Sequence, residues 1–166
     1  MIVFNSPTLI LLARTELLEK FLDARNAEAV IPKEVERECC EEKQSADALL
    51  IRTLIQEKKI SVRALKDRRL VSKVLADFPV GKGEAEALAL ALSQKARLFA
   101  TDDRKAIQAC KLMKIPFTTA LAILVRMHKK GLLDKDQARA KLEALRQYGR
   151  YKKNIVEDAK SKLGVS

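Results

Sequence analysis

Gly81-Lys-Gly-Glu-Ala-Glu-Ala-Leu-Ala-Leu-Ala-Leu92 is followed, after a short break, by Arg97-Leu-Phe-Ala-Thr-Asp-Asp103. The first run sets two carboxylates, Glu84 and Glu86, at the start of an Ala/Leu-rich helix. The second is a short apolar strand that ends in Asp102 and Asp103. A helix leading straight into an apolar strand is a repeating unit of α/β domains with a parallel sheet. If the strand at 98–101 lies beside the apolar run at 1–4, these acids meet outside the carboxyl ends of the strands, where sites in such sheets form. Unpaired acids brought together are costly unless a cation lies between them. For an all-oxygen site that cation is Mg²⁺ or Mn²⁺. The chemistry implied is metal-dependent phosphodiester hydrolysis.

The same alternation continues on either side. The run at 1–4 ends at Asn5-Ser6-Pro7, and residues 8–24 read as one helix with Leu9, Leu12, Leu17, Leu18, Phe21 and Leu22 inward. Pro7 suits its first turn. A strand is expected at 29–31, a helix over 33–43, and a helix over 46–58 with Ser45 as its N-cap. A strand at 60–65, a helix over 66–77 and a loop over 78–83 precede the helix 84–95. Beyond the strand at 98–101, the pattern gives a helix over 103–114, a strand at 115–118 and a helix over 119–130. Two basic helices, 135–147 and 152–163, follow Gly131.

The chain has 166 residues, enough for one domain with a real core, and 48% hydrophobic with 33% charged residues fits a folded protein rather than a disordered one. The net charge of +11 is uneven. Residues 1–103 carry 17 Lys/Arg and 17 Asp/Glu, so the whole excess lies in 104–166. A basic lobe beside an acidic cluster suits a polyanion held by one and cut by the other. A solvated set of helix faces is the plainer alternative. Only 4% of residues are aromatic, so base stacking is not the dominant binding mode. Cys39, Cys40 and Cys110 have no ligand-like spacing and read as reduced, packing cysteines. The apolar patch at 9–13 is too short to span a membrane, which favours a cytoplasmic protein.

Several motifs together resemble the PIN-domain family, in particular the archaeal and bacterial members akin to VapC toxins. They are Asn5-Ser-Pro-Thr-Leu-Ile10, Ile31-Pro-Lys-Glu-Val-Glu-Arg-Glu38, Gly81–Ala87 and Thr101-Asp-Asp103, in that order. Residues 115–133 are similar to a subgroup with a helical C-terminal extension. The resemblance implies a three-layer α/β/α fold with a central, mainly parallel sheet. It implies a nuclease-like domain at 1–131 and a basic helical extension at 132–166 packed on the same domain. It further implies a Mg²⁺- or Mn²⁺-dependent RNA endonuclease that leaves 5′-phosphate and 3′-hydroxyl ends. A homodimer and a small antitoxin protein are the partners it suggests.

Carried over, the family's acidic positions fall on Asn5, Glu38, Glu84 or Glu86, and Asp103, with Asp102 as a neighbour. Glu86 is favoured, with Glu84 as support. The two stand about 200° apart around a helix and cannot both reach one metal unless the helix starts beyond Glu84. At position 5 the chain departs from the family, which has Asp. Asn is neutral, so metal binding and catalysis weaken. The chain is then a weak nuclease working through Glu38, Glu86, Asp102 and Asp103, or a binding protein that has lost catalysis, or an enzyme whose Asn5-Ser6 deamidates to Asp. Ser6, Thr8 and Thr101 either orient water or phosphate or serve as caps. Glu84 and Glu86 equally suit a helix N-terminus, and Asp102 and Asp103 equally suit a cap. Lys82 and Arg104 flank the acids, either contacting phosphates or balancing charge. Arg126, Lys129 and Lys130 are candidates for RNA contact on the basic side. His128, the only histidine, lacks a partner at ligand spacing and reads as a surface or packing residue.

Overall fold

The computed structural model describes residues 1–41 and 43–165. Its strands are β1 (Ile2–Phe4), β2 (Ala29–Pro32), β3 (Ile60–Arg63), β4 (Leu98–Ala100) and β5 (Phe117–Thr118). They form one sheet in the order β3-β2-β1-β4-β5, parallel throughout. The helices are α1 (Ser6–Arg14), α2 (Leu18–Ala24), α3 (Lys33–Cys40), α4 (Ala46–Gln56), α5 (Arg68–Asp77), α6 (Lys82–Ser93), α7 (Arg104–Met113), α8 (Ala120–Lys129), α9 (Lys135–Tyr148) and α10 (Lys153–Leu163). The architecture is a three-layer α/β/α fold with a central parallel sheet. β1 and β2 are buried at every residue, as strands covered on both faces must be.

The Ala/Leu helix α6 lies against β1, β2 and β4 and also meets α3, α5 and α7. It is buried almost all round, from Ala85 through Ala91, which is why its apolar residues show no narrow stripe. From β1 the chain lays β2 and β3 to one side and β4 and β5 to the other, so the winding reverses between β1 and β4. Ligand sites of open α/β sheets form in the crevice at such a switch point. Phe4 pairs with Ala100, so Asn5 and Thr101 are the first residues beyond the two strand ends.

Several boundaries differ from the sequence pattern, each for a local reason. The expected helix over 8–24 is broken into α1 and α2. Thr15 Oγ1 donates to the carbonyls of Leu11 (2.9 Å) and Leu12 (3.3 Å), Glu16 adopts φ 59°, and the Leu17 N–H returns to Leu12 O (3.0 Å). That left-handed closure ends the helix. Ser45 sits at the start of α4 but makes no side-chain cap. Helix α3 stops at Cys40; position 42 of the expected 33–43 helix lies outside the described residues. Asp67 accepts the Arg69 N–H (3.0 Å) and delays α5 to Arg68. Lys114 closes α7 with φ 57°, and the Ile115 N–H turns back to Cys110 O (2.8 Å), which shortens β5. Residues 82 and 83 belong to the first turn of α6, not to a loop.

Beyond α8, Asp134 and Gln137 form a reciprocal capping box that starts α9. α9 packs on α8 and reaches α1, and α10 packs on α8 and α9. Leu142, Leu145, Ala159 and Leu163 join the same apolar cluster as the sheet. Among the described residues no helix is long and apolar enough to cross a membrane.

Candidate active site

The crevice between β1 and β4 is built first from Asn5, Thr101 and Asp103. Asn5 is fully buried; its Oδ1 accepts the Thr8 N–H (3.1 Å) and caps α1, while its Nδ2 donates to Thr101 Oγ1 (2.7 Å). Thr101 Oγ1 also accepts the Asp103 N–H (3.1 Å), so one buried hydroxyl ties both strand ends together. Asp103 Oδ2 accepts the Ala106 N–H (2.8 Å) as the N-cap of α7. Its other oxygen makes no hydrogen bond among the described residues. Asp103 therefore both caps a helix and brings a carboxylate to the crevice.

Glu38 and Glu84 complete the acidic group. Glu38, on the last turns of α3, lies directly against Gly83; a Cβ there would overlap the Glu38 carboxylate oxygen. The absence of a side chain at 83 is what lets α3 bring its acid to the start of α6. Glu38 Oε1 is buried and has no hydrogen-bond partner among the described residues. Burial pushes the Glu38 carboxyl up, the Ser6 hydroxyl holds it partly down, and the Glu34 charge raises it further. The Glu84 carboxyl is pushed up to about 7, first by burial and then by the charges of Asp103 and Glu38. Lys105 partly offsets this, which puts a cation beside the three acids that sequence reasoning did not single out. The missed signal was its place in the first turn of a helix capped by an acid of the cluster.

Glu86 and Asp102 are placed elsewhere. α6 begins at Lys82, so Glu84 and Glu86 point to different sides of it. Glu86 is buried, pairs with Arg68 (2.8 Å) and accepts the Glu34 N–H at the start of α3 (3.4 Å). Glu34 in turn pairs with Arg37 and with Lys82 (3.5 Å), whose cation is thereby drawn to this network. Glu86 thus joins α3, α5 and α6. The structure brings Glu84 rather than Glu86 together with Glu38 and Asp103.

Asp102 is a junction between the sheet and the segment that joins α9 to α10. Its carboxylate accepts from Thr8 Oγ1 (2.8 Å), the Ala120 N–H at the start of α8 (3.1 Å) and the Tyr151 hydroxyl (3.1 Å). The Thr8 hydroxyl accepts the Asp102 N–H in return (2.9 Å). Burial raises the Asp102 carboxyl and these donors pull it back; burial and the neighbouring Asp102 charge raise the Tyr151 phenol. Thr8 and Thr101 therefore spend their hydroxyls inside the fold. Tyr151→Phe is expected to cost about 1 kcal/mol, because Asp102 keeps two other donors. Thermal unfolding should show a drop of about 2–4 °C for a chain of this length.

Of the basic candidates, Arg104, Arg126 and Lys129 line one groove beside Asp102 and Asp103, whereas Lys130 is exposed outside it. His128 Nδ1 meets the Leu133 carbonyl (2.9 Å), a packing role. Cys39, Cys40 and Cys110 are free and buried; burial drives Cys39 and Cys110 up to about 12, which leaves both thiols unreactive.

Among the described residues, no group of three or more His, Cys, Asp or Glu side chains is placed to hold a metal ion as the side chains stand. Glu38, Glu84 and Asp103 act on one another through their charges and make at most an open set. Mg²⁺ usually keeps several waters and is held by one or two carboxylates together with substrate phosphates, so an open set of hard oxygens suits it. The Glu38 oxygen, without a partner among the described residues, and the elevated Glu84 carboxyl both mark negative charge of the kind a divalent cation would relieve.

A family model, DUF3368, described as a PIN domain, matches residues 1–164. No curated protein and no solved structure matches the chain.

Proposed function

The chain belongs to the PIN-domain family, and on that premise we propose that it is a Mg²⁺- or Mn²⁺-dependent RNA endonuclease. PIN domains are generally nucleases that act on nucleic acids and typically bind divalent metals. The observation that carries the reading is the approach of Glu38, Glu84 and Asp103 beside the switch point, with a buried Glu38 oxygen that has no partner among the described residues. A bound divalent ion supplies Lewis-acid polarisation of the scissile phosphate and activation of water at neutral pH.

The chain's own residues do the positioning. Gly83 lets Glu38 approach α6, and the cap on α7 fixes Asp103. Lys105 and Arg104, in the first turn of α7, are set to contact non-bridging phosphate oxygens. Such contacts offset the charge that develops on phosphorus. Asn5 holds the floor of the crevice without adding charge, so the site is one carboxylate short of the family's set and cleavage is slow.

The test is cleavage of a labelled RNA in Mn²⁺ by the chain as it stands and by Asn5→Asp, with EDTA and Asp103→Asn as controls. Metal-dependent cleavage lost in Asp103→Asn supports the reading. Intact RNA with every metal and with Asn5→Asp defeats it. Acidification gives a second check. Glu84 must be ionised to hold a cation, so Mn²⁺ affinity should fall about tenfold between pH 8 and pH 6. A pH-independent titration contradicts a role for Glu84.

One observation favours a second reading, a catalytically degenerate RNA- or partner-binding protein. Each polar atom of the Asn5 side chain makes a hydrogen bond within the fold, and the amide brings no charge to a cation. Metal-independent RNA binding without turnover separates it from the first. The same nuclease reading takes the protein as the toxin of a toxin–antitoxin pair, homodimeric, cytoplasmic and met by a small antitoxin protein. Sedimentation of the purified chain tests the dimer.

A further inference from the structure

A groove of about 1140 Å³ adjoins the acidic crevice, bounded by α7, α8 and the turn between α9 and α10. It reaches the acids through Asp103, which lines both. Six cations lie along it, Arg104, Arg126, Lys129, Arg150, Lys152 and Lys162, against three carboxylates, Asp102, Asp103 and Asp158. Asp158 is answered by Lys162 (2.9 Å), and Asp102 already accepts three donors from within the fold. The other five cations form no ion pair among the described residues, so their charge faces the groove uncompensated. The turn is fixed in place: the Tyr151 ring fills the space where a side chain at Gly149 would go, and its hydroxyl reaches Asp102.

The groove is not only basic. Leu121, Val125, Ile155 and Tyr148 lie among the cations, and Tyr148 is 51% exposed and Ile155 43%. A duplex offers phosphates and hides its bases, so it has no use for these residues. Unstacked bases do, and one exposed tyrosine ring is a stacking platform. Building on the nuclease reading for its substrate, we propose that a single-stranded RNA segment flanking the scissile phosphate lies in this groove. Its phosphates contact Arg126, Lys129 and Lys152, and one base stacks on Tyr148. The C-terminal extension thereby selects unpaired RNA and feeds it to the acids through Asp103.

The experiment is fluorescence anisotropy on the full chain in EDTA, with a labelled RNA of about 12 nucleotides and the duplex of the same sequence. Arg126→Glu with Lys129→Glu should weaken single-strand binding at least about tenfold and reduce its salt dependence. Tyr148→Ala should weaken single-strand binding about tenfold and leave duplex binding unchanged. Lys20→Glu with Lys73→Glu, the same charge change on distant exposed positions, should have little effect. The proposal is overturned if the distant pair weakens binding as much as the groove pair, or if Tyr148→Ala leaves single-strand affinity unchanged. It is also overturned if polyglutamate binds through the groove and RNA does not, which would make it a polypeptide site. Groove-dependent binding without cleavage, even by Asn5→Asp, would support the groove and sink only the nuclease reading. Cleavage with an unchanged KM in the groove pair would sink only the groove.

Discussion

Glu84→Gln should lower metal-dependent RNA cleavage about 10²–10³-fold and at the same time stabilise the metal-free protein at alkaline pH. The first effect follows from removing one of the three carboxylates that would face the proposed cation. The second follows from the elevated Glu84 carboxyl, raised by burial and by Asp103 and Glu38. A carboxyl raised in the folded state binds its proton more tightly there than in the unfolded chain. Its contribution to stability is present below the unfolded value near 4.5 and is lost as pH rises through about 7. Glutamine carries no charge at any pH, so the variant's advantage should grow across that window. Screening on the solvent side limits it to about 1 kcal/mol, or roughly 2–4 °C at pH 8. Saturating Mn²⁺ should reverse the order, since only the parent gains from the ion. A variant that is less stable than the parent at pH 8 without metal would contradict the repulsive cluster.

Asn5→Asp should raise Mn²⁺-dependent cleavage by about 10²-fold. The added charge sits beside Thr101 and next to the strand end that leads to Asp103. The local geometry accepts it. An Asp oxygen still takes the Thr8 N–H, and the Thr101 hydroxyl rotates to donate where it previously accepted. The metal-free protein should become less stable above neutral pH, because a fourth carboxylate joins an uncompensated set. Single-turnover cleavage and thermal unfolding, each with and without Mn²⁺, read the two effects. A stability loss with no gain in cleavage would leave the binding-protein reading standing.

Much of the fold was legible because its signals are local. The Ala/Leu run of α6 and the apolar run of β4 told helix from strand, and their order implied a parallel sheet with Asn5 and Asp103 at strand ends. The break at Thr15 was not legible. Leu17 and Leu18 continue the inward spacing, and the residue that turns the chain is Glu16, not glycine.

The site was legible in composition but not in detail. Choosing between Glu84 and Glu86 depends on where α6 begins. Gly83 reads as a loop residue, yet it lies inside the first turn, where its missing side chain leaves room for Glu38. That contact joins residues 45 apart in sequence and leaves no local trace. Asp102 and Asp103 are neighbours with different partners, one joining α1, α8 and Tyr151, the other capping α7. Tyr151 carries no pattern of its own; its role exists only once α9 and α10 fold back on α8.

Which glutamate would hold the proposed ion is the central question. Calorimetric titration of Mn²⁺ into the parent chain, Glu84→Gln and Glu86→Gln at pH 8 decides it. Glu84→Gln should lose at least about tenfold in affinity, while Glu86→Gln should bind within about threefold of the parent because Glu86 is committed to Arg68. Loss of Mn²⁺ binding in Glu86→Gln with full binding in Glu84→Gln would contradict the account.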